Sequence, residues 1–283
     1  MKINGDKKLS LINSAIYTLF FFIEFLYEKK SKKDYIFDIL IQDLNKFWND
    51  DNLINYSPAR IATDSFLINY LKKNFDIKKK LNVIDLGCGF GNYSNYLRNF
   101  GYEVEYTGID WNPKTEKILS GHKKNNFILA DFDNENKGLF EQLNQLNQNN
   151  KFNLILSHSF FEHIQKDITI FNALKENFND VNQIHFVPAS ISFFNYFRHG
   201  YRRYNFKTNQ KLSNQLDNFY KIYNLGNHES LIQYYVRYYL FYGKKHKLDF
   251  FNLYKKNKDI FLNIKKYIYS NTNQYPVFYC FYK

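Results

Sequence analysis

The run Val83-Ile84-Asp85-Leu86-Gly87-Cys88-Gly89-Phe90-Gly91 constrains this chain more than any other stretch. Val83, Ile84 and Leu86 make a short apolar β run suited to a buried parallel strand. Glycine at alternate positions after Leu86 lets the backbone turn tightly and approach a ligand with no Cβ in the way. A strand handing over to such a turn predicts a helix directly after it and a nucleotide cradled between the two. Glycine-rich turns of this kind recur on several folds, so a second element at the right distance has to choose among them.

That element is Glu105-Tyr106-Thr107-Gly108-Ile109-Asp110-Trp111, a second strand whose terminal acid follows Asp85 by one βαβ unit. An acid at the tip of the second strand of a doubly wound sheet can accept hydrogen bonds from both hydroxyls of a ribose. Trp111 then lies along the ribose or the adenine. The dinucleotide fingerprint wants G-x-G-x-x-G; here Gly91 comes one position early and Asn92 takes the expected place.

Together these residues resemble the class I S-adenosylmethionine-dependent methyltransferases, over about Leu81 to Ser190. The resemblance implies an α/β fold with a Rossmann-like, seven-stranded, mostly parallel sheet and flanking helices. To this the chain adds an N-terminal helical extension and a C-terminal helical insertion. It implies S-adenosyl-L-methionine as cofactor, with Asp85, Gly87, Gly89 and Gly91 lining its methionine end, Cys88 within the same turn, and Asp110 holding the ribose. Phe127 to Phe132 reads as the third strand, after which Asp131 would bond the adenine amino group and Phe132 cover its ring. Phe152 to His163 reads as the fourth, with Ser157 near its end among the cofactor contacts and the Glu162-His163 pair of one branch of the family after it. Relatives that methylate quinone precursors carry a Glu-x-x-Glu-His metal cluster at this place. Ser159 stands here at the first glutamate position, and Glu162 and His163 alone give two ligands, so no metal is expected.

At 283 residues the chain suits one α/β domain with appendages. It divides into residues 1–76, an N-terminal helical extension or lid; 77–190, the cofactor-binding core; and 191–283, a substrate-binding segment that also completes the sheet. The formal charge of +12 comes from six arginines and 33 lysines spread along the sequence. A phosphate-reading surface favours clustered arginine, so nucleic acid is not the expected partner. Cys88 and Cys280 are the only cysteines, without C-x-x-C spacing, which suits a reducing, cytoplasmic compartment.

Leu11 to Tyr27 is nearly continuous in apolar residues, yet Asn13, Ser14, Thr18 and Glu24 interrupt it and no stable membrane insertion is expected. Ile12, Ile16, Leu19, Ile23 and Leu26 recur at helical spacing. They predict a helix laid over the core, over the active site, or against a second copy in a homodimer. Further helices are expected over Tyr35 to Trp48 and Ala62 to Asn74. Gln142 to Lys151 reads as a helix end and loop. Gln183 to Pro188, Phe219 to Tyr223 and Val277 to Phe281 are the remaining strands, the last antiparallel by the resemblance, with His185 a core or sheet-edge residue.

Phe193 to Tyr204 follows the carboxyl end of the fifth strand, the side where open α/β sheets bind ligands. Its rings interleaved with Arg198, Tyr201 and Arg202 suit a polar substrate with an anionic or sugar-like part, and an amphipathic packing helix is the alternative. Methyl transfer to a hydroxyl needs a proton acceptor beside the reacting oxygen. His158, His163 and His199 are the candidates. The expected activity is methyl transfer to a small polar or carbohydrate-like acceptor, at oxygen; an RNA methyltransferase and a non-catalytic cofactor-binding subunit are the alternatives.

Overall fold

Strand β1 (Leu81–Leu86) pairs in parallel with β2 (Val104–Asp110) on one side and β4 (Leu154–His158) on the other, making the motif strand the centre of the sheet. β3 (Asn125–Leu129) lies outside β2, and β5 (Asn182–Pro188) outside β4, both parallel. β7 (Phe278–Tyr282) is antiparallel to β5 and to the edge strand β6 (Lys221–Leu225), giving the order β3-β2-β1-β4-β5-β7-β6. This is the Rossmann-like, seven-stranded, mostly parallel sheet. The computed structural model describes residues 3–29, 41–50, 56–115, 125–133, 136–191, 199–226 and 275–283. Residues 193–198, the first half of the run Phe193 to Tyr204 and including Arg198, and the start of the helix expected over Tyr35 to Trp48 lie outside the described residues.

Seven helices are described: α1 (Leu11–Leu26), α2 (Ile41–Trp48), α3 (Pro58–Asn74), α4 (Asn92–Phe100), α5 (Asn136–Asn150), α6 (Asp167–Asn177) and α7 (Phe206–Gln215). α3 begins four residues before the expected Ala62, because the Ser57 hydroxyl accepts the Arg60 amide and Pro58 occupies the first turn, where its missing N–H costs nothing. Phe66, Leu67, Ile68 and Leu71 of α3 are fully buried in the same core as the strands, with Phe66 edge-on to Phe186 of β5. Gln142 to Asn150, read as helix end and loop, is the helical second half of α5; Leu143 buries fully there and supplies the inward anchor.

α1 has the expected bounds, but its inward face is a different one. Ile12, Ile16, Leu19, Ile23 and Leu26 are exposed, while Tyr17 and Phe21 are buried. Polar side chains aim the helix: the Tyr17 hydroxyl donates to the His199 and Gly200 carbonyls, and buried Glu28 accepts from Ser190 and from Tyr279 of β7. No helix among the described residues is long and apolar enough to cross a membrane.

β6 starts two residues later than expected, since Asp217 and Asn218 both adopt left-handed backbone and turn the chain first. Pro188 closes β5 beyond the last rung with β4, where its missing amide breaks no ladder. His185 lies fully buried between β4 and β7 and is a core residue.

Candidate functional site

Strand order reverses between β1 and β4, so their carboxyl ends open a crevice at the switch point where doubly wound sheets bind ligands. The glycine turn lines it. Gly87 and Cys88 both donate to the Ile109 carbonyl, at 2.8 and 3.1 Å, and Gly91 donates to Cys88 at 2.8 Å before capping α4. Gly87 has φ +66, and a Cβ there would lie 2.5 Å from the Phe160 ring. Gly89 has φ +52, and a Cβ there would meet nothing within 4 Å. One glycine makes room for the protein's own core; the other faces open space.

The Gly89 amide donates to Asp110 Oδ2 and the Asn112 amide to Oδ1, each at 2.9 Å. Asp110 is 8% exposed, and two backbone donors leave its carboxylate lone pairs for two further hydroxyls. Trp111, next along, is 75% exposed. Across the mouth, Asp131 is exposed while Phe132 is buried edge-on to Phe160 at 4.7 Å. An open glycine cradle, a diol-ready carboxylate and an aromatic wall fit a nucleoside with a charged tail.

Asp85 sits beneath the turn, buried, accepting the Tyr106 hydroxyl. Burial pushes its carboxyl up to about 7, against the Tyr106 hydrogen bond and the Arg60 charge, with Asp110 adding to the rise. The Cys88 thiol is likewise pushed far up by burial, which leaves it an inert small filler. Ser157 was expected against the cofactor, but alternate β4 side chains face opposite sides of the sheet. Its hydroxyl points into the core, 3.0 Å from His185 Nδ1.

His158 takes the other side. The β1–β4 register sets Asp85 opposite Leu156, so Asp85 and His158 project from the same face. His158 Nε2 lies 3.1 Å from the Thr63 hydroxyl, and its ring packs among Tyr93, Phe186 and Phe278. Burial, reinforced by the Arg60 charge, lowers its pKa well below the ordinary histidine value and keeps the ring neutral.

Sequence reasoning missed the polar group behind it. Fully buried Asp64 accepts from Trp48 Nε1 (2.8 Å), Arg60 Nε (2.9 Å) and the Tyr93 hydroxyl (2.8 Å), and the Arg60 guanidinium lies over the Tyr93 ring at 4.8 Å. The only linear signal was the i, i+4 spacing of Arg60 and Asp64 on one helix.

His163 and His199 do come together, with ring centroids 4.4 Å apart, but around Asp6, which the sequence reading did not single out. Asp6 Oδ2 is 2.7 Å from His163 Nδ1 and Oδ1 is 3.2 Å from His199 Nδ1. Burial alone would raise the Asp6 carboxyl; the two histidine hydrogen bonds hold it well below the usual carboxylate range. His163 is raised in turn: burial lowers it, but the Asp6 bond and the charges of Glu162 and Asp6 outweigh this. Arg202, expected at the substrate, donates instead to Asp167 (2.8 Å) and to the Gln165 carbonyl (2.6 Å), because α6 begins with that buried acid beside it. Tyr201 donates its amide to the Glu162 carbonyl at 2.7 Å.

Among solved structures, the chain is similar to the plantazolicin methyltransferase BpumL in complex with SAH, at 14% identity over 85% of this chain and 88% of that one, TM-score 0.47. It is similar to coclaurine N-methyltransferase bound to N-methylheliamine and SAH, at 13% identity over 98% and 88%, TM-score 0.49. A third is a SAM-dependent methyltransferase from Archaeoglobus fulgidus, at 15% identity over 84% and 96%, TM-score 0.43. No curated protein sequence matches. A family described as a methyltransferase domain matches residues 60–216, over half of the chain, from the Arg60–Asp64 pair through the glycine turn to the end of α7. The chain belongs to that family, the class I S-adenosylmethionine-dependent methyltransferases.

Proposed function

We propose that the protein transfers a methyl group to an oxygen of a small polar or carbohydrate-like acceptor, with His158 receiving the hydroxyl proton. The observation that carries this reading is a neutral histidine on the same sheet face as Asp85, one strand over, at the mouth of the switch-point crevice. Bound S-adenosylmethionine supplies an electrophilic methyl group on a sulfonium.

This chain's residues would do the rest. Gly89 and Gly91, in the turn that Gly87 and Cys88 open, would let the backbone pass close to the methionine part, Asp110 and Trp111 would hold the ribose, and Asp131 and Phe132 would bound the adenine. Asp85, close to neutral pH in its titration, gains a reason to ionise once a cationic ligand lies above it. Thr63 fixes the His158 ring, and Tyr93, Phe186 and Phe278 around it exclude water from the proton-accepting nitrogen. The two buried cysteines suit a reducing, cytoplasmic setting. The exposed apolar stripe of α1 suits pairing of two copies, which the mass in solution reports.

The test is methyl transfer from radiolabelled cofactor to a panel of small hydroxylated acceptors. His158→Gln should lower kcat by about 10²- to 10⁴-fold with cofactor affinity unchanged by calorimetry. Transfer by the variant at the wild-type rate would remove His158 as the proton acceptor, and labelling of amine acceptors alone would move the reaction to nitrogen.

A further inference from the structure

The Thr63 hydroxyl has one hydrogen and two polar neighbours. Its Oγ1 lies 3.0 Å from the Arg60 carbonyl, one turn back along α3, and 3.1 Å from His158 Nε2. A carbonyl only accepts, so the hydroxyl donates there, a bond that threonine commonly makes to the carbonyl three residues back in a helix. Toward His158 the same oxygen has only lone pairs to offer. Nε2 is therefore the donor, and the neutral ring carries its proton on Nε2 and a lone pair on Nδ1.

The rings packed around His158 leave that assignment alone. Phe186 and Phe278 carry no polar side-chain atom, and the Tyr93 hydroxyl is committed to Asp64 Oδ1 at 2.8 Å. Thr63 is fully buried while His158 is half-buried, so the Nε2 edge faces the protein and the reachable part of the ring lies away from it. The residue's own backbone carbonyl favours a charged ring. It can receive the second N–H, which exists only after the ring has taken a proton.

The turn of α3 that holds the hydroxyl is itself fixed. Asp64, the next residue, accepts from Arg60 on the same helix, from Trp48 of α2 and from Tyr93 of α4. Threonine at position 63 adds stiffness of its own, because a β-branched side chain has few χ1 rotamers open to it in a helix. Three helices thus position one oxygen between the Arg60 carbonyl and the imidazole.

On the reading that His158 takes the proton of the substrate hydroxyl, we infer that Thr63 is a positioning residue that sets the His158 tautomer, and that Nδ1, not Nε2, receives that proton. The substrate O–H bond breaks and an Nδ1–H bond forms, the oxygen keeping the electron pair with which it takes the methyl group. The imidazolium then keeps Nε2–H on Thr63 and passes the Nδ1 proton to water before the next turnover. Nδ1 is bonded to Cγ, whereas Nε2 is at the far side of the ring. The substrate oxygen therefore meets the ring from the side of the β4 backbone, which favours a hydroxyl that reaches down to the strand tip.

The experiment is long-range 1H–15N correlation NMR of the full-length protein, labelled with 15N in its histidine rings and with no ligand added. The His158 signals are assigned by their loss in His158→Gln. At a pH of about 8, the expected spectrum has a protonated nitrogen at Nε2 and a bare one at Nδ1. Thr63→Val removes the accepting oxygen and should mix the two tautomers, with methyl transfer to the panel of hydroxylated acceptors falling about tenfold or more and cofactor affinity by calorimetry unchanged. Thr63→Ser should restore both the tautomer and the turnover. A wild-type ring with its proton on Nδ1, or an unchanged tautomer in folded Thr63→Val, overturns the role of Thr63; should that variant fail to fold, the wild-type spectrum decides. Wild-type turnover by His158→Gln would instead overturn the reading of His158 on which this role rests, and that failure shows in turnover while the spectrum keeps the Nε2 proton.

Discussion

The Gly89 amide donates to the Asp110 carboxylate across 2.9 Å, locking the turn after β1 to the tip of β2, while Gly87, two residues earlier, sits under the Phe160 ring. The two glycines therefore separate in their consequences. Alanine at either must adopt left-handed backbone, costing about 1–2 kcal/mol. Gly87→Ala also drives a methyl into Phe160, adding about 1–3 kcal/mol of overpacking. Gly89→Ala meets no protein atom but fills the space above the cradle. Denaturant unfolding should show Gly87→Ala as the more destabilised, and calorimetry with S-adenosylmethionine should show the larger relative loss of affinity in Gly89→Ala. The reverse ranking would mean that the turn opens to the other side.

Asp85 gives the fold a pH dependence opposite to that of most paired carboxylates. The unfolded chain releases this proton near 3.8, whereas in the fold burial holds it to about 7. Between these values the unfolded state binds fewer protons, so stability falls as pH rises. The contribution is complete below about pH 4, is lost by about pH 7, and amounts to roughly 2–3 kcal/mol between pH 5 and 7. Glu24, also pushed up to about 7 by burial, adds a similar share. Asp85→Asn should reduce the loss of stability between pH 5 and 8, measured by urea unfolding, with Glu24 and the other groups raised in the fold, Glu28, Asp167 and His163, supplying the remainder. A variant with the wild-type slope would show that Asp85 ionises freely.

The first strands and the glycine turn were legible in sequence because their signals are local: an apolar run, alternate glycines and an acid at the next strand tip each constrain a few neighbouring residues. Other features depend on contacts that no window contains. Asp6 reaches His163 across 157 positions, and Asp64 gathers Trp48 and Tyr93 from different helices. α1 shows the same limit in another form. Its helical spacing was plain, but which face turned inward was decided by Tyr17 and Glu28 finding polar partners at Gly200 and Tyr279, not by the stripe of leucine and isoleucine. Arg202 looked like a substrate contact because interleaved arginine and aromatic residues read equally well as a binding face or as packing.

Arg202 tests that ambiguity directly. Its guanidinium donates to Asp167 Oδ1 while Tyr204 donates to Oδ2, so a nearly inaccessible carboxylate at the start of α6 is held by two residues of the 199–205 segment. Burial raises the Asp167 carboxyl, and the Arg202 charge and the Tyr204 bond oppose that rise. Arg202→Met keeps the apolar stem and removes the charge, leaving Asp167 with the Tyr204 hydroxyl and the Ile168 amide. Because Arg202 is partly exposed, the cost is about 1–3 kcal/mol rather than that of a fully buried pair. In a chain of this size, that lowers Tm by several degrees, on the order of 2–4 °C per kcal/mol. Once an acceptor is in hand, KM for the folded variant should stay within about twofold of wild type, since the side chain is already engaged within the protein. A large rise in KM with Tm unchanged would return Arg202 to the substrate and require the Asp167 pairing to break when substrate binds.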